Sequence, residues 1–469
     1  MNSTIEHIHL IAICGTAMGS IAAMLKSQGY KITGSDEHVY PPMSTFLEEQ
    51  GIHIYQGFDE KNLQPHPDLV IIGNAMSRGN PEVEYVLENK IRYTSLPLAI
   101  KDFFLRGKHS IVVSGTHGKT TTSSLIAWML EVAGKKPSFL IGGIPLNFKK
   151  GFKLDSGDIF VVEGDEYDSA FFDKGAKFFH YMPDIVVLNN IEFDHADIYD
   201  NLDQIKLAFR RLINLIPRNG LLIACGDDTN VRELLPAAFS PVQTFGLADD
   251  NFWKAMNIKY SSSHSTFDVT KENSFYGTYE LPLSGNHNIR NALATIAVAD
   301  FHDLPQGVIQ ESFTNFKSIK KRLEIRAQIN GITIYDDFAH HPTEAKTTID
   351  GLKNQFPNKR LWAIFEPRTA TAKRKSMEKF YIDAFDNADI TIFAPLHLPH
   401  KVNAEERISV EELVSKIRER QNEAYLFESV EKIIEYIVNH VQSNDLILIM
   451  SNGAFGGIHD LLIERLSSR

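Results

Sequence analysis

The stretch Gly115-Thr116-His117-Gly118-Lys119-Thr120-Thr121-Thr122 holds the residue types that phosphate chemistry needs. The apolar run Ser110-Ile111-Val112-Val113 before it reads as a buried strand, and Ser124 to Leu130 after it as a helix. A strand, a glycine turn and a helix N-terminus aim backbone N–H groups at one point, where the helix dipole favours an anion. Gly118 permits close backbone approach, Lys119 can reach β- and γ-phosphates, and the Thr120 hydroxyl can ligate Mg²⁺. Val113 stands where a complete phosphate-loop pattern has its first glycine. Lysine directly after the turn glycine is otherwise unforced, so a nucleotide triphosphate site is expected, with ATP as co-substrate.

Two further groups follow strand-like runs. Glu163 ends Ile159 to Val162 and opens Glu163-Gly164-Asp165-Glu166-Tyr167-Asp168; His195 closes Asn189-Asn190-Ile191-Glu192-Phe193-Asp194-His195 after Ile185 to Leu188. Strand C-terminal ends converge on the ligand crevice of an open parallel sheet, so both groups are expected to face the phosphates. Mg²⁺ keeps several waters, so Thr120 and Glu163 suffice for one ion, with His195 available to a second. Asn288 and Asn291 lie three apart on one face of the helix expected from Asn288 to Ala299. An asparagine amide can match an adenine's amino donor and ring acceptor together. For Asn288 a helix cap is an equal alternative. Asn291, inside the helix, needs another reason.

Later in the chain, Lys320-Lys321-Arg322-Leu323-Glu324 and Tyr335-Asp336-Asp337-Phe338-Ala339-His340-His341-Pro342-Thr343-Glu344 are dense in reactive groups. Acids at a strand end can hold a ribose diol or polarise an incoming amine. Pro342 suits a first helical turn, which leaves His340 and His341 on the preceding loop. A histidine pair suggests zinc, but no third soft ligand stands at a suitable spacing. Arg368, in Phe365-Glu366-Pro367-Arg368-Thr369, can clamp a substrate carboxylate or be an ordinary surface charge. Near the N-terminus, Gly15-Thr16-Ala17-Met18-Gly19 and Gly34-Ser35-Asp36 suggest a nucleotide-diphosphate turn, without the glycine spacing of an NAD site. Glycine packing with no ligand is the alternative there.

Alternating strand-like and helix-like runs place these groups on α/β layers around parallel sheets. Strands are expected at Ile8 to Ile13, Lys31 to Asp36 and Leu69 to Ile72, with a closing helix from Leu96 to Phe104. Lys254 to Leu281 alternates polar and apolar residues, as antiparallel strands do. Strands are also expected at Ile332 to Tyr335, Leu361 to Phe365, Ile390 to Phe393 and Leu446 to Met450. With 469 residues, three domains are expected, at 1–107, 108–315 and 316–469. A formal net charge of −11 leaves no basic footprint for nucleic acid. No apolar run is long enough for a membrane span, and the N-terminus has no basic region before an apolar one. Two cysteines, Cys14 and Cys225, lack metal-like spacing, so reduced thiols and a cytoplasmic location are expected.

Taken together, Gly115–Thr122, Glu163–Asp168, Asn190–His195, His287–Asn291 and Tyr335–Glu344 resemble the Mur ligase family of cell-wall enzymes over essentially the whole chain. That resemblance implies a Rossmann-like UDP-sugar domain, a central P-loop ATPase domain with a parallel and a small antiparallel sheet, and a Rossmann-like C-terminal domain for the acceptor. It implies a UDP-sugar site at Gly15, Thr16, Ala17, Met18, Ser35, Asp36 and Asn74. ATP would meet Gly115, Thr116, His117, Gly118, Lys119, Thr120, Thr121, Asn288, Asn291, Arg322 and Asp337. Metal would meet Thr120, Glu163 and His195. Lys119, Glu163, His195, His340 and Asp336 are the implied catalytic set, with Arg368 and His341 on the acceptor. Glu166–Lys174, Phe365–Arg368 and Ser451–His459 look like the recycling branch, which joins L-alanyl-γ-D-glutamyl-meso-diaminopimelate to UDP-N-acetylmuramate. The branch that adds L-alanine is the alternative. Several members carry a carbamylated lysine after the histidine motif; Arg210 stands in that region, so no carbamate is expected.

Overall fold

The computed structural model describes residues 5–196, 198–261, 263–420 and 423–468. Three large sheets follow one another along the described residues, and Asp168–Ala170 and Asp173–Ala176 pair as a separate two-stranded one. The first has five parallel strands in the order His53–Gln56, Lys31–Asp36, His7–Ile11, Leu69–Ile72, Tyr93–Ser95. Its first strand stops at Ile11, two residues short of expectation. Ala12 turns to positive φ, and the Ala12 and Ile13 N–H groups both donate to the Ser35 carbonyl. The closing helix is α-helical over Leu96–Ile100 and widens to a π-helix over Lys101–Leu105.

The central sheet has ten strands, and its middle positions the site. The strand His109–Ser114 lies between Ile185–Leu188 and Ile159–Gly164, parallel to both, with Ser114 level with Leu188 and Gly164. Strands pair about 4.8 Å apart, so the loop at Gly115 emerges beside the loops that begin at Asn189 and Asp165. The middles of these strands, Ile111–Val113, Ile159–Val162 and Ile185–Leu188, are apolar and buried because both faces of the sheet are covered. Trp253–Tyr260, Ser265–Lys271 and Ser274–Leu281 are antiparallel, as their alternation predicts. They do not form a separate sheet. Phe245 and Gly246 pair in parallel with Trp253 and Lys254, which makes these strands an extension of the central sheet.

The third sheet runs Glu324–Ile329, Ile332–Asp337, Leu446–Met450, Leu361–Phe365, Ile390–Phe393, Glu423–Leu426, parallel except for its first strand.

One apolar cluster joins the first two sheets: Ile100 and Phe104 share it with Phe178 and Phe209. Phe209 is fully buried on the helix Leu202–Ile213, its ring 5.5 Å from that of Phe178. Arg210 is on the exposed face of the same helix. Removing a buried aromatic ring loses transfer energy and leaves a cavity. Phe209→Ala is therefore expected to lower stability by about 3–5 kcal/mol, read as an earlier thermal transition of the full chain.

Candidate active site

The phosphate loop depends on two left-handed glycines. Gly115 has φ +127, and a Cβ there would press on the Asn190 backbone at 3.0 Å. Gly118 has φ +81, and a Cβ would meet the Asn189 and Asn291 side chains at 2.9 Å. The loop is tied down by Asn190, whose carbonyl accepts from Thr116 N–H and whose side-chain oxygen accepts from His117 N–H. The helix Lys119–Val132 starts immediately afterwards.

Lys119 Nζ donates to the Gly115 carbonyl at 2.6 Å and to Glu166 at 2.9 Å. Glu166, 2% exposed, also takes His195 Nε2 at 3.0 Å. A chain Lys119–Glu166–His195 thus runs beneath the loop. Burial works against the Lys119 charge, but Glu166 and Asp165 outweigh it and hold the ammonium's pKa above its usual value. The His195 pKa is likewise raised: burial opposes the charge and the Glu166 contact prevails. His195 has positive φ, rare for a non-glycine residue, and its ring lies 4.2 Å from that of Tyr167.

Glu163 accepts the Gly142 N–H at 2.9 Å. Burial raises its pKa, while Gly142, Lys119, Thr120 and Arg322 oppose that rise. A partly buried carboxylate beside a threonine hydroxyl, both hard oxygen donors, fits Mg²⁺.

A cavity of about 740 Å³ opens beside the loop, lined by Gly118, Thr121, Asn288, Asn291, Arg322 and Asp337 among others. Its size and its mix of apolar and polar walls suit a nucleotide. The helix spans Asn286–Phe301 with Gly285 as its cap, so Asn288 is a wall residue and not a cap. Its amide donates to the Ser284 carbonyl, and its oxygen accepts from Asn291, whose own oxygen accepts from Thr122. Asp337 accepts the Leu323 and Ala339 N–H groups, and burial lifts its carboxyl to about 6 against the pull of Arg322.

The third domain closes on the loop through acids that sequence reasoning quoted but gave no role. His117 lies 3.4 Å from Glu192 and 3.3 Å from Glu344. Thr343 donates to Glu192 at 2.6 Å, and Arg322 reaches Glu344 at 3.8 Å. His340 lies 3.1 Å from Glu344 and 4.0 Å from Asp194, the neighbour of His195. His117, Glu192 and His341 bring ligand atoms within 4.8 Å of one another. Burial opposes the His117 charge, yet Glu192 and Glu344 push its pKa to about 10. With His117 protonated between two carboxylates, the trio forms an ion-pair network. Burial and the nearby His117 hold His341 down at about 4.

Other sequence candidates fall elsewhere. Asp336 faces the opposite side of its strand from Asp337, as alternation requires. Its carboxylate is held by His459 at 3.2 Å and Arg326 at 3.2 Å, so the structure does not bring it into this cluster. Arg368 lies beside Glu366 at 3.5 Å over the Ser451–Gly453 turn, where only a glycine at 453 leaves room. In the first domain, Gly15, Thr16 and Ala17 are exposed at a helix N-terminus, and Asn74 is half-buried past a strand end. Met18 is core. Ser35 is fully buried, its hydroxyl donating to Glu82 and its carbonyl accepting from Ala12 and Ile13, so it is not presented to a ligand. Asp36 accepts the Cys14 and His38 N–H groups and shapes the turn.

Fold and site together define a three-domain enzyme class in which a phosphate loop is closed by a third domain. The chain matches the Mur ligase family catalytic domain over 7–107, the Mur ligase middle domain over 113–299 and the Mur ligase glutamate ligase domain over 321–453. It is 41% identical over 466 residues to a UDP-N-acetylmuramate–L-alanyl-γ-D-glutamyl-meso-2,6-diaminoheptandioate ligase of Haemophilus influenzae, covering 98% of this chain and 99% of that one. The Escherichia coli protein of the same name is 40% identical, with 98% of each chain covered. The crystal structure of a murein peptide ligase from Psychrobacter arcticus superposes with a TM-score of 0.73 at 37% identity, covering 99% of both chains. The chain belongs to the Mur ligase family.

The His117 network sets a pH dependence. A histidine whose pKa rises from 6.5 to about 10 on folding contributes stability that is complete below 6.5 and lost as pH climbs through about 10. The melting-temperature gap between wild type and His117→Gln is expected to be widest near pH 5–6.5 and to narrow steadily towards pH 10. A gap independent of pH would remove the charged form of His117.

Proposed function

We propose that this chain is an ATP-dependent amide ligase of peptidoglycan recycling. It joins L-alanyl-γ-D-glutamyl-meso-diaminopimelate to the lactyl carboxylate of UDP-N-acetylmuramate, in the cytoplasm. The observation that carries this reading is the meeting of the phosphate loop with His340 and His341 of the third domain in one buried cluster. A bare nucleotide switch has no need of an acceptor domain there. Near full-length similarity to ligases named for this reaction supports the substrate pair. Among the described residues, no helix is long and apolar enough to cross a membrane.

The carboxylate attacks the γ-phosphate of ATP, giving an acyl phosphate and ADP. The peptide's α-amine then attacks the activated carbonyl and expels phosphate. Two anions meet in the first step, so charge neutralisation dominates the barrier. Lys119 supplies one fixed cation after exchanging Glu166 for phosphate oxygens. Mg²⁺, which Thr120 and Glu163 would hold with His195 towards a second ion, supplies the rest when bound. Asn288, Asn291, Arg322 and Asp337 line the nucleoside side. We assign orientation of the amine to His340, beside Asp194, in preference to Asp336. Arg368 is placed to hold an acceptor carboxylate, and contacts between the domains exclude water from the acyl phosphate. The domain limits at 107/108 and 315/316 belong to the same reading.

Lys119→Ala is expected to lower kcat on the order of a thousandfold and to bring the thermal transition down while the chain still folds, because Glu166 is left buried without its ammonium partner; full activity would remove the loop assignment. EDTA is expected to stop ADP release, and added Mg²⁺ to restore it. Product mass with ATP and UDP-N-acetylmuramate is expected to show the tripeptide adduct over the L-alanine adduct. Preference for alanine would move the chain to the biosynthetic branch.

A further inference from the structure

The seam between the central and third domains holds donors for a softer cation than Mg²⁺. Among the described residues, His117, Glu192 and His341 form one group of three whose ligand atoms all lie within 4.8 Å of one another. In the sequence, the pair His340-His341 suggests zinc and lacks a further ligand at a suitable spacing. Folding supplies two. His117 comes from the phosphate loop, and Glu192 from the loop after Ile185–Leu188.

The separations suit a small tetrahedral ion. Zinc bonds to imidazole nitrogen and carboxylate oxygen are about 2.1 Å, so the edge of its tetrahedron is about 3.4 Å. Glu192 Oε2 lies 3.4 Å from His117 Nε2 and 3.5 Å from His341 Nδ1. Two edges therefore stand at the required length. The third is at most 4.8 Å, and a shift of about 1.4 Å in one ring closes it.

The surroundings complete the donors. His117 Nε2 is buried with no hydrogen-bond partner among the described residues, while Nδ1 of the same ring faces Glu344 at 3.3 Å. A carboxylate on the far nitrogen is the outer partner that orients a zinc-bound imidazole and strengthens it as a ligand. Glu192 accepts from the Thr343 hydroxyl at 2.6 Å, a second outer contact. His341 is neutral, and its Nδ1 lone pair meets only a long bond from the Thr343 N–H, at 3.3 Å. Partial exposure of Glu192 leaves a path for the ion and for water at the fourth position. Without the ion, His117 carries a proton between Glu192 and Glu344; zinc replaces that proton, which leaves to solvent. Two imidazoles and one carboxylate do not suit Mg²⁺, which takes oxygen donors.

We propose that His117, Glu192 and His341 form a zinc site, separate from the Mg²⁺ position at Thr120 and Glu163. Its ligands come from two domains, so the bound ion clamps the third domain onto the phosphate loop. A clamped domain cannot open to exchange substrates, and zinc therefore acts as a brake. The site stands on these donors and not on the ligase reading.

Titration of the full chain with Co²⁺ at a fixed excess of Mg²⁺ reads the ion directly, because Co²⁺ absorbs strongly only when four-coordinate. One equivalent is expected to give the tetrahedral band, and Zn²⁺ to abolish it. Glu192→Gln and His341→Gln, one from each domain, are each expected to weaken Co²⁺ binding more than about a hundredfold, beyond the loss of an outer partner. Glu163→Gln is expected to move it less than about twofold. Circular dichroism checks that each variant folds, and the wild-type band stands on its own. In the wild type, Zn²⁺ is expected to slow ADP release at saturating Mg²⁺, and a zinc-selective chelator to restore it. No tetrahedral band, or a band lost in Glu163→Gln and kept in Glu192→Gln, would overturn the site. Loss in only one of the two trio variants would overturn the bridge between domains, and zinc bound there with no slowing would overturn the brake. Absence of ADP release without zinc would count against the ligase reading and leave the absorption result untouched.

Discussion

The structure depends on one constraint: a lysine ammonium held in a nearly dry pocket at the end of a parallel strand. Lys119 is stable there only because Glu166 and Asp165 come from the neighbouring strand end and His195 closes the chain from the other. An unpaired buried charge would cost several kcal/mol. The loop, its two flanking strands and their acids therefore form one unit. The arrangement also has a use, because Glu166 holds a position from which an incoming phosphate can displace it.

The domains differ in how they join this unit. The first is held by apolar burial around Phe178 and Phe209, which is insensitive to charge. The third meets the loop mainly through ion pairs and hydrogen bonds, with His117, Glu192, Thr343 and Glu344 at the centre. Apolar packing between them is limited, with Phe193 lying against the third-domain core. Polar contacts of this kind can be remade as charges change, which suits a domain that must admit ATP and an acceptor and then exclude water. The central loops carry most of the charge of the site.

Much of the site was legible because its residues cluster in short runs at strand ends. Gly115–Thr122 announces itself, since Lys119 after Gly118 has no structural necessity of its own. Glu163, His195, Asn288 and Asn291 were expected beside the loop by the rule that strand and helix ends face the crevice, and Asn288 and Asn291 line the cavity there. Glu166, Glu192 and Glu344 were quoted within those runs and passed over. A carboxylate's partner can lie well over a hundred residues away, as Glu344 does from His117, and no periodicity records that. Asp336 and Asp337 show the opposite failure. Side by side in the sequence they look interchangeable, and the pleat sends them to opposite faces.

The sequence by itself determined the three α/β units, the phosphate loop and the strands that hold it, because apolar runs and glycine turns are local signals. The tertiary structure alone decided which acids meet which cations. It joined the antiparallel strands to the central sheet through Phe245 and Trp253, and it brought Glu344 of the third domain onto His117. Those choices rest on register and on packing between distant segments. Their energies depend on burial and separation in space, and neither is written in the order of residues along the chain.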